Sequence, residues 1–268
     1  MRTRPHLLLA ILALIVAACS STGTTTAPST AEGELTVLAA ASLKAVMEQA
    51  ARDYRAATGV TLTISTDSST ALATQIREGA PADVFLSADT KNPVDLADDG
   101  FASGTPVDFA GNALTVIVPS DNPAGLTSPL DLSKDGVKVI AAGDDVPIST
   151  YASQVIDNLS QEPGAPADFA ARVAANTVSK EDNVKAVVAK VELGEGDAAI
   201  VYVTDAAASD EVRSIDVPAD ANVPATYAGI VVKASPNQEA AEAFLDWFAG
   251  PDGQAILASF GFLPAPAD

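Results

Sequence analysis

LTVLAAASLKAVMEQA, Leu35 to Ala50, decides the class of fold. It opens as a short apolar run (Leu35, Val37, Leu38), passes three alanines, Ala39 to Ala41, and reaches Ser42. There the period changes: Leu43, Val46, Met47, Ala50 and Tyr54 recur at three- and four-residue steps, the spacing of an amphipathic helix. Gly59 follows where a helix stop is expected. A strand therefore runs straight into a helix, and Ser42 at the joint is expected to cap it. Unpaired backbone N–H groups and the positive end of the helix dipole meet at such a joint and favour an anion. One strand–Ser–helix joint is usually only a capped helix. Here the pattern recurs: VTLTISTDSSTALATQIREG, Val60 to Gly79, is again a β-branched run, a Ser/Thr cluster and a helix carrying Leu72 and Ile76.

Further along, short apolar runs and helical periods continue to alternate. Strands are expected at Val84–Leu86, Asn112–Pro119, Val137–Asp145, Asp197–Ala206 and Thr226–Ala234. Helices are expected over VDLADDGF before Gly100, from about 151 to 159, after a Ser179/Asp182 capping box up to Gly194, and after Ser235-Pro236-Asn237-Gln238. The last of these should turn Ala241, Phe244, Leu245 and Phe248 inward. The class is α/β with mostly parallel sheets. Periodicity does not choose between one large sheet and two lobes.

The chain begins with a charged region, Arg2 and Arg4, and a 12-residue apolar run, Leu7 to Ala18, too short to span a bilayer and suited to a signal segment. The run ends at Val16-Ala17-Ala18-Cys19, which resembles a bacterial lipobox. That resemblance implies cleavage after residue 18 and a lipid on Cys19, so the protein is expected on the outer face of the cell membrane. Residues 19–32 are Thr-, Ser-, Pro- and Gly-rich and read as a flexible tether. Cleavage removes Arg2 and Arg4, taking the formal charge from −20 to −22, and removes the only histidine, His6. With one cysteine and no histidine, a Ser-His-Asp triad, a disulfide framework and a histidine-ligated metal are excluded. The acidity argues against a nucleic-acid partner.

LTVLAAASL, SSTALATQI, GAPADVFLSAD, GNALTVIV, VP-x-x-x-Y, EDNV and AAIVYVTDA occur in that order. As an ordered set, spanning Leu35 to Pro264, they resemble the ModA family of molybdate receptors. The resemblance implies a type II periplasmic-binding-protein fold: two α/β lobes joined by two crossing strands, with the ligand in the cleft. One lobe is then expected from 33–110 plus 225–268 and the other from 111–224. It implies an oxyanion held by hydrogen bonds from the Ser42 and Ser69 hydroxyls, the backbone N–H groups of Ile148 and Val184, and the Tyr202 hydroxyl. Contact with molybdenum is then through molybdate oxygens only, with no direct protein–metal ligand. Ser68 and Thr70 compete with Ser69, and Tyr151 competes with Tyr202. The family has a small residue and Gly after Val-Pro, where this chain has Ile148 and Ser149, and Ser149 offers a donor of its own. Asp67, Asp83 and Asp89 read as turn and cap residues, since a carboxylate beside a dianion opposes binding.

The function implied is extracytoplasmic capture of molybdate or tungstate and delivery to the membrane permease of an ABC importer. It implies no cofactor and no catalysis, and the protein is expected to be a monomer. The same fold binding sulfate or phosphate is the alternative. A surface lipoprotein hydrolase is more remote: its only available activation is a Ser42–Lys44 pair, and residues two apart on a helix do not face each other.

Overall fold

The computed structural model describes residues 33–265. The leader expected over 1–18, Cys19 and the tether expected over 19–32 lie outside the described residues.

The opening stretch forms β1 (Glu34–Ala40), one 3-10 turn (Ala41–Leu43) and α1 (Lys44–Thr58). α1 buries Val46, Met47, Ala50 and Tyr54, as its spacing requires, and stops at Gly59, whose φ of 82° suits a residue without Cβ. Ser42 is not the cap that the sequence suggested. It lies inside the 3-10 turn, the cap position of α1 falls on Leu43, and no side chain bonds to the first turn. The hydroxyl is thereby left for other partners.

β2 (Thr61–Asp67), α2 (Ser69–Arg77), β3 (Val84–Ser87), α3 (Lys91–Asp98) and β4 (Ala102–Asn112) follow. Then come β5 (Leu114–Pro119), β6 (Val139–Ala142), α4 (Pro147–Leu159), α5 (Phe169–Asn176), β7 (Thr177–Glu181), α6 (Val184–Glu192), β8 (Ala198–Tyr202), α7 (Val203–Ala207) and β9 (Val212–Asp216). The described chain closes with β10 (Ala225–Val232), α8 (Gln238–Ala249) and α9 (Pro251–Ser259).

The strands build two five-stranded sheets, ordered β2-β1-β3-β10-β4 and β7-β6-β8-β5-β9. β1 pairs in parallel with β2 and β3, and β6 with β7 and β8. β10 runs antiparallel to β3 and β4, and β5 antiparallel to β8 and β9. The sheets are therefore mixed, which corrects the expectation of mostly parallel ones. The reason is topological: β4, β5, β9 and β10 carry the chain between the sheets and are not βαβ crossovers, so nothing compels them to run parallel to their neighbours. β4 continues the first sheet to Asn112, and only Ala113 separates it from β5 in the second.

Two capping expectations also change. Ser179 lies within β7, and the cap of α6 is Asn183, whose side chain accepts from Ala186 N–H at 3.1 Å. α8 starts at Gln238, later than Ser235 predicts; Ser235 Oγ accepts from Asn237 N–H at 2.9 Å and donates to buried Asp83 at 2.5 Å. Asp83 also accepts Thr36 N–H at 2.7 Å, joining β1 to the end of β10. α8 turns Ala241, Phe244, Leu245 and Phe248 inward as predicted. α9 approaches the end of α8 so closely that a Cβ on Gly253 would lie 2.0 Å from the Phe248 carbonyl oxygen.

Candidate functional site

Ser42, Ser69, Ile148, Val184 and Tyr202 line one cleft, together with Ala40, Ala41, Ser68, Ala88, Val146, Pro147 and Asn183. The first sheet's side supplies the two serines and the second sheet's side the other three. No charged side chain lines it.

Helix starts dominate the walls. Ser69 is the first residue of α2, Ile148 the second of α4 and Val184 the first of α6, while Ser42 sits in the turn leading into α1. Amide groups in a first turn have no intrahelical acceptor. The capping side chains use only part of this supply: Ser68 Oγ accepts from Ala71 N–H at 3.2 Å and Asn183 Oδ1 from Ala186 N–H. The first two N–H groups of α2 and α6 stay available. α4 has no side-chain cap and begins with Pro147, which pre-sets φ and leaves the next amide, Ile148, free to face the cleft.

The hydroxyls are oriented. Ser69 Oγ accepts from Ala88 N–H at 3.0 Å, so its own proton is free to donate. Ser42 Oγ lies 3.0 Å from the Tyr227 hydroxyl. Tyr202, buried at the end of β8, reaches the Ala88 carbonyl at only 3.5 Å, a weak bond that leaves the hydroxyl open to a better acceptor. Burial pushes its pKa well above the ordinary tyrosine value, so it stays a neutral donor.

Of the competing groups, Ser68 lines the cleft beside Ser69 and its hydroxyl only accepts, from Ala71 N–H, so it remains a candidate donor, whereas Thr70 and Tyr151 do not line the cleft. Thr70 Oγ1 donates to Asp145 O at 2.6 Å, and Tyr151 OH to Thr226 O at 3.4 Å. Ser149 Oγ donates to Ala142 O at 3.0 Å, away from the cleft. Asp89 acts locally, on Asn92 N–H at 3.0 Å, and Asp67 accepts from Ser68 N–H at 2.8 Å. Asn183 Nδ2 donates to Asp67 at 3.3 Å, so both this pair and Thr70–Asp145 bridge the rim between the two sheets' sides.

Space is scarce. The cleft has about 10 Å³ free, room for roughly one water, so a larger ligand widens it. A larger cavity of about 350 Å³ lies behind Ile148, between the second sheet and α4 and α5; its lining is mostly apolar and has no such convergence of donors.

Three features escaped sequence reasoning. Asn183 was visible in principle, as an Asn directly before a helical valine run. Tyr227 meets Ser42 across 185 positions of chain and gives no local signal. Asp205 in α7 is fully buried, with Lys185 Nζ 2.8 Å from Oδ1 in an ion pair. Burial raises the pKa of this carboxyl and the ammonium opposes the rise. Among the described residues, no group of three His, Cys, Asp or Glu side chains is placed to hold a metal ion.

Two mixed α/β sheets with a donor-lined, charge-free cleft between their helix starts define a two-lobe solute-binding protein of the type II periplasmic-binding fold. The chain belongs to the bacterial extracellular solute-binding protein family, whose sequence model matches residues 35–263. It is 31% identical over 258 residues to the molybdate-binding protein ModA of Mycobacterium bovis, covering 94% of each chain. To ModA of Escherichia coli it is 33% identical over 243 residues, covering 86% of this chain and 89% of that one. Among solved structures, the periplasmic molybdate-binding protein of Azotobacter vinelandii superposes with a TM-score of 0.73 at 27% identity, over 87% of this chain and all of the other.

Proposed function

We propose that the protein captures molybdate, or tungstate, outside the cytoplasm and delivers it to the permease of an ABC importer. The observation that carries this is the convergence of Ser42, Ser69, Ile148, Val184 and Tyr202 on one cleft without a charged side chain. A tetrahedral dianion presents acceptors in every direction, and this wall presents donors from several. Each hydrogen bond to a charged ligand contributes on the order of 1.5–3 kcal/mol, so five to seven of them offset the cost of desolvation and closure. Selection against sulfate then lies in donor spacing, since molybdate and tungstate are larger ions. Hydrogenphosphate needs an acceptor for its proton, and no carboxylate lines the cleft.

In this reading 33–110 plus 225–268 form one lobe, 111–224 the other, and β4–β5 and β9–β10 are the crossings between them. The pairing of β10 with β4 in the first sheet supports that division. The protein acts as a monomer, anchored through Cys19 and without catalysis. No helix among the described residues is long and apolar enough to cross a membrane.

Thermal unfolding with molybdate, tungstate, sulfate and phosphate tests the reading. A ligand at 100 times its dissociation constant adds about 2.7 kcal/mol to stability. Molybdate and tungstate are expected to raise the melting temperature and sulfate is not; an equal rise with sulfate sinks the selectivity.

A further inference from the structure

Tyr227, in β10, is completely buried, and its hydroxyl has two polar neighbours: Ser42 Oγ at 3.0 Å and Asn112 Nδ2 at 3.4 Å. The orientation of the Asn112 amide follows from its other bonds. Ala113 N–H donates to Oδ1 at 2.9 Å, and Nδ2 donates to Thr204 Oγ1 at 2.9 Å. The group that faces Tyr227 is therefore an NH₂, which donates and does not accept. This leaves the phenolic proton one acceptor, Ser42 Oγ. A buried hydroxyl proton without an acceptor is costly, so the direction of the chain is fixed: Asn112 to Tyr227 to Ser42. Burial also holds the Tyr227 pKa well above its ordinary value, so the proton is present at any physiological pH.

We infer that Tyr227 is a positioning residue that makes Ser42 a hydrogen-bond donor toward the cleft, so that the site takes a fully deprotonated oxyanion. The inference rests on the oxyanion reading of the cleft and specifies its polarity. Having accepted from Tyr227, the Ser42 hydroxyl has its own proton to give, and the cleft is the open direction. Ser69 is oriented in the same sense by Ala88 N–H. The two serines thus present protons and not lone pairs, and a ligand that brings its own proton to either position meets another proton. Ser69 owes its orientation to a backbone group, which side-chain substitution leaves in place; Ser42 owes its orientation to a side chain that can be changed.

Calorimetric titration of molybdate into the full chain, Tyr227→Phe, Ser42→Ala and the double variant is the test. Tyr227→Phe is expected to weaken binding about five- to tenfold, the loss of one oriented hydrogen bond. In the Ser42→Ala background the same change is expected to alter affinity by less than about twofold, because Tyr227 acts only through Ser42. An equal factor in both backgrounds makes Tyr227 a packing residue and overturns the inference, as does full affinity in Tyr227→Phe. The unaltered chain is titrated with tungstate and sulfate as well; if it binds none of the three anions, the oxyanion reading itself fails and the inference with it. A second measurement leaves Tyr227 intact and covers a Tyr227→Phe chain that does not fold. The hydroxyl proton of Tyr227, read by NMR as a slowly exchanging resonance, is expected to shift on Ser42→Ala; an unmoved resonance overturns the assignment.

Discussion

Ser42 and Ser69 are buried hydroxyls whose acceptor sides are occupied by Tyr227 OH and Ala88 N–H. On the proposed reading, each then donates into the cleft. Replacing either by Ala removes a donor to a buried charge, and molybdate binding is expected to weaken by roughly 1–3 kcal/mol in each variant. Val184→Ala is expected to cost much less, because Val184 offers its backbone N–H, which alanine keeps. Titration of the three variants checks the assignment, and a larger loss in Val184→Ala than in Ser42→Ala contradicts it. On the proposed reading Ile148 is of the same kind: only its amide is used, so the bulk of its side chain is tolerated. Its side chain turns into a buried position that also walls the 350 Å³ cavity.

Among the elements, the close approach of α9 to α8 makes a sharp test of packing. A Cβ at Gly253 would meet the Phe248 carbonyl oxygen at 2.0 Å, and backbone cannot swing aside as a side-chain tip can. Gly253→Ala is expected to lower stability by about 1–3 kcal/mol by chemical denaturation, with the helices forced apart; an unchanged midpoint argues against this contact. The elements most legible in the sequence were those with a strong period or a stop. α1 had both, in Val46, Met47, Ala50 and Gly59, and α8 had Ala241, Phe244, Leu245 and Phe248. β4 was not legible: ASGTPVDFAGN mixes Gly104, Pro106 and Asp108 into an irregular strand whose first seven residues are only partly buried or exposed. β9 and β7 are edge strands, mostly exposed or half-buried and with little apolar content. At the site, the strand–Ser–helix joints pointed to Ser42 and to the Ser68–Thr70 cluster, and family resemblance singled out Ser69 within it; the capping role read for Ser42 was mistaken. Ile148, Val184 and Tyr202 came only from family resemblance. Tyr227 and Asn112 were found by neither route, because long-range side-chain contacts leave no mark on local spacing.

For the molecule as a whole, two electrostatic expectations follow from composition and burial. Burial pushes Tyr202 and Tyr227 well above the usual tyrosine range and Tyr151 to about 12, and no charged side chain lines the cleft. All three are neutral below their raised values, and molybdate is a dianion near neutrality. Affinity is thus expected to be flat between about pH 6 and 8, with the reference tyrosine near 10 already outside that window. A phosphate receptor would show a slope there. The formal charge, −20 for the whole chain and −22 after the expected cleavage, repels an approaching dianion, and inert salt screens that repulsion over a Debye length of about 8 Å at 0.15 M. Association measured by stopped flow is expected to quicken as chloride is added; a rate that falls with salt reveals a cationic patch at the entrance.

The cleft's lack of fixed charge bears on unloading as much as on capture. An anion held by a lysine must be prised from a counter-ion, and something of like charge or low pH has to compete for the partner. Here the grip is a set of dipoles, each replaceable by one water molecule, and the rim is fastened by Thr70 to Asp145 and Asn183 to Asp67. Separating the two sides, which breaks these bonds and that of Tyr202 to Ala88, would let water replace each donor's hold on the anion without any competing counter-ion. Discharge is then a mechanical act, and whatever docks on the protein need only pull the two halves apart.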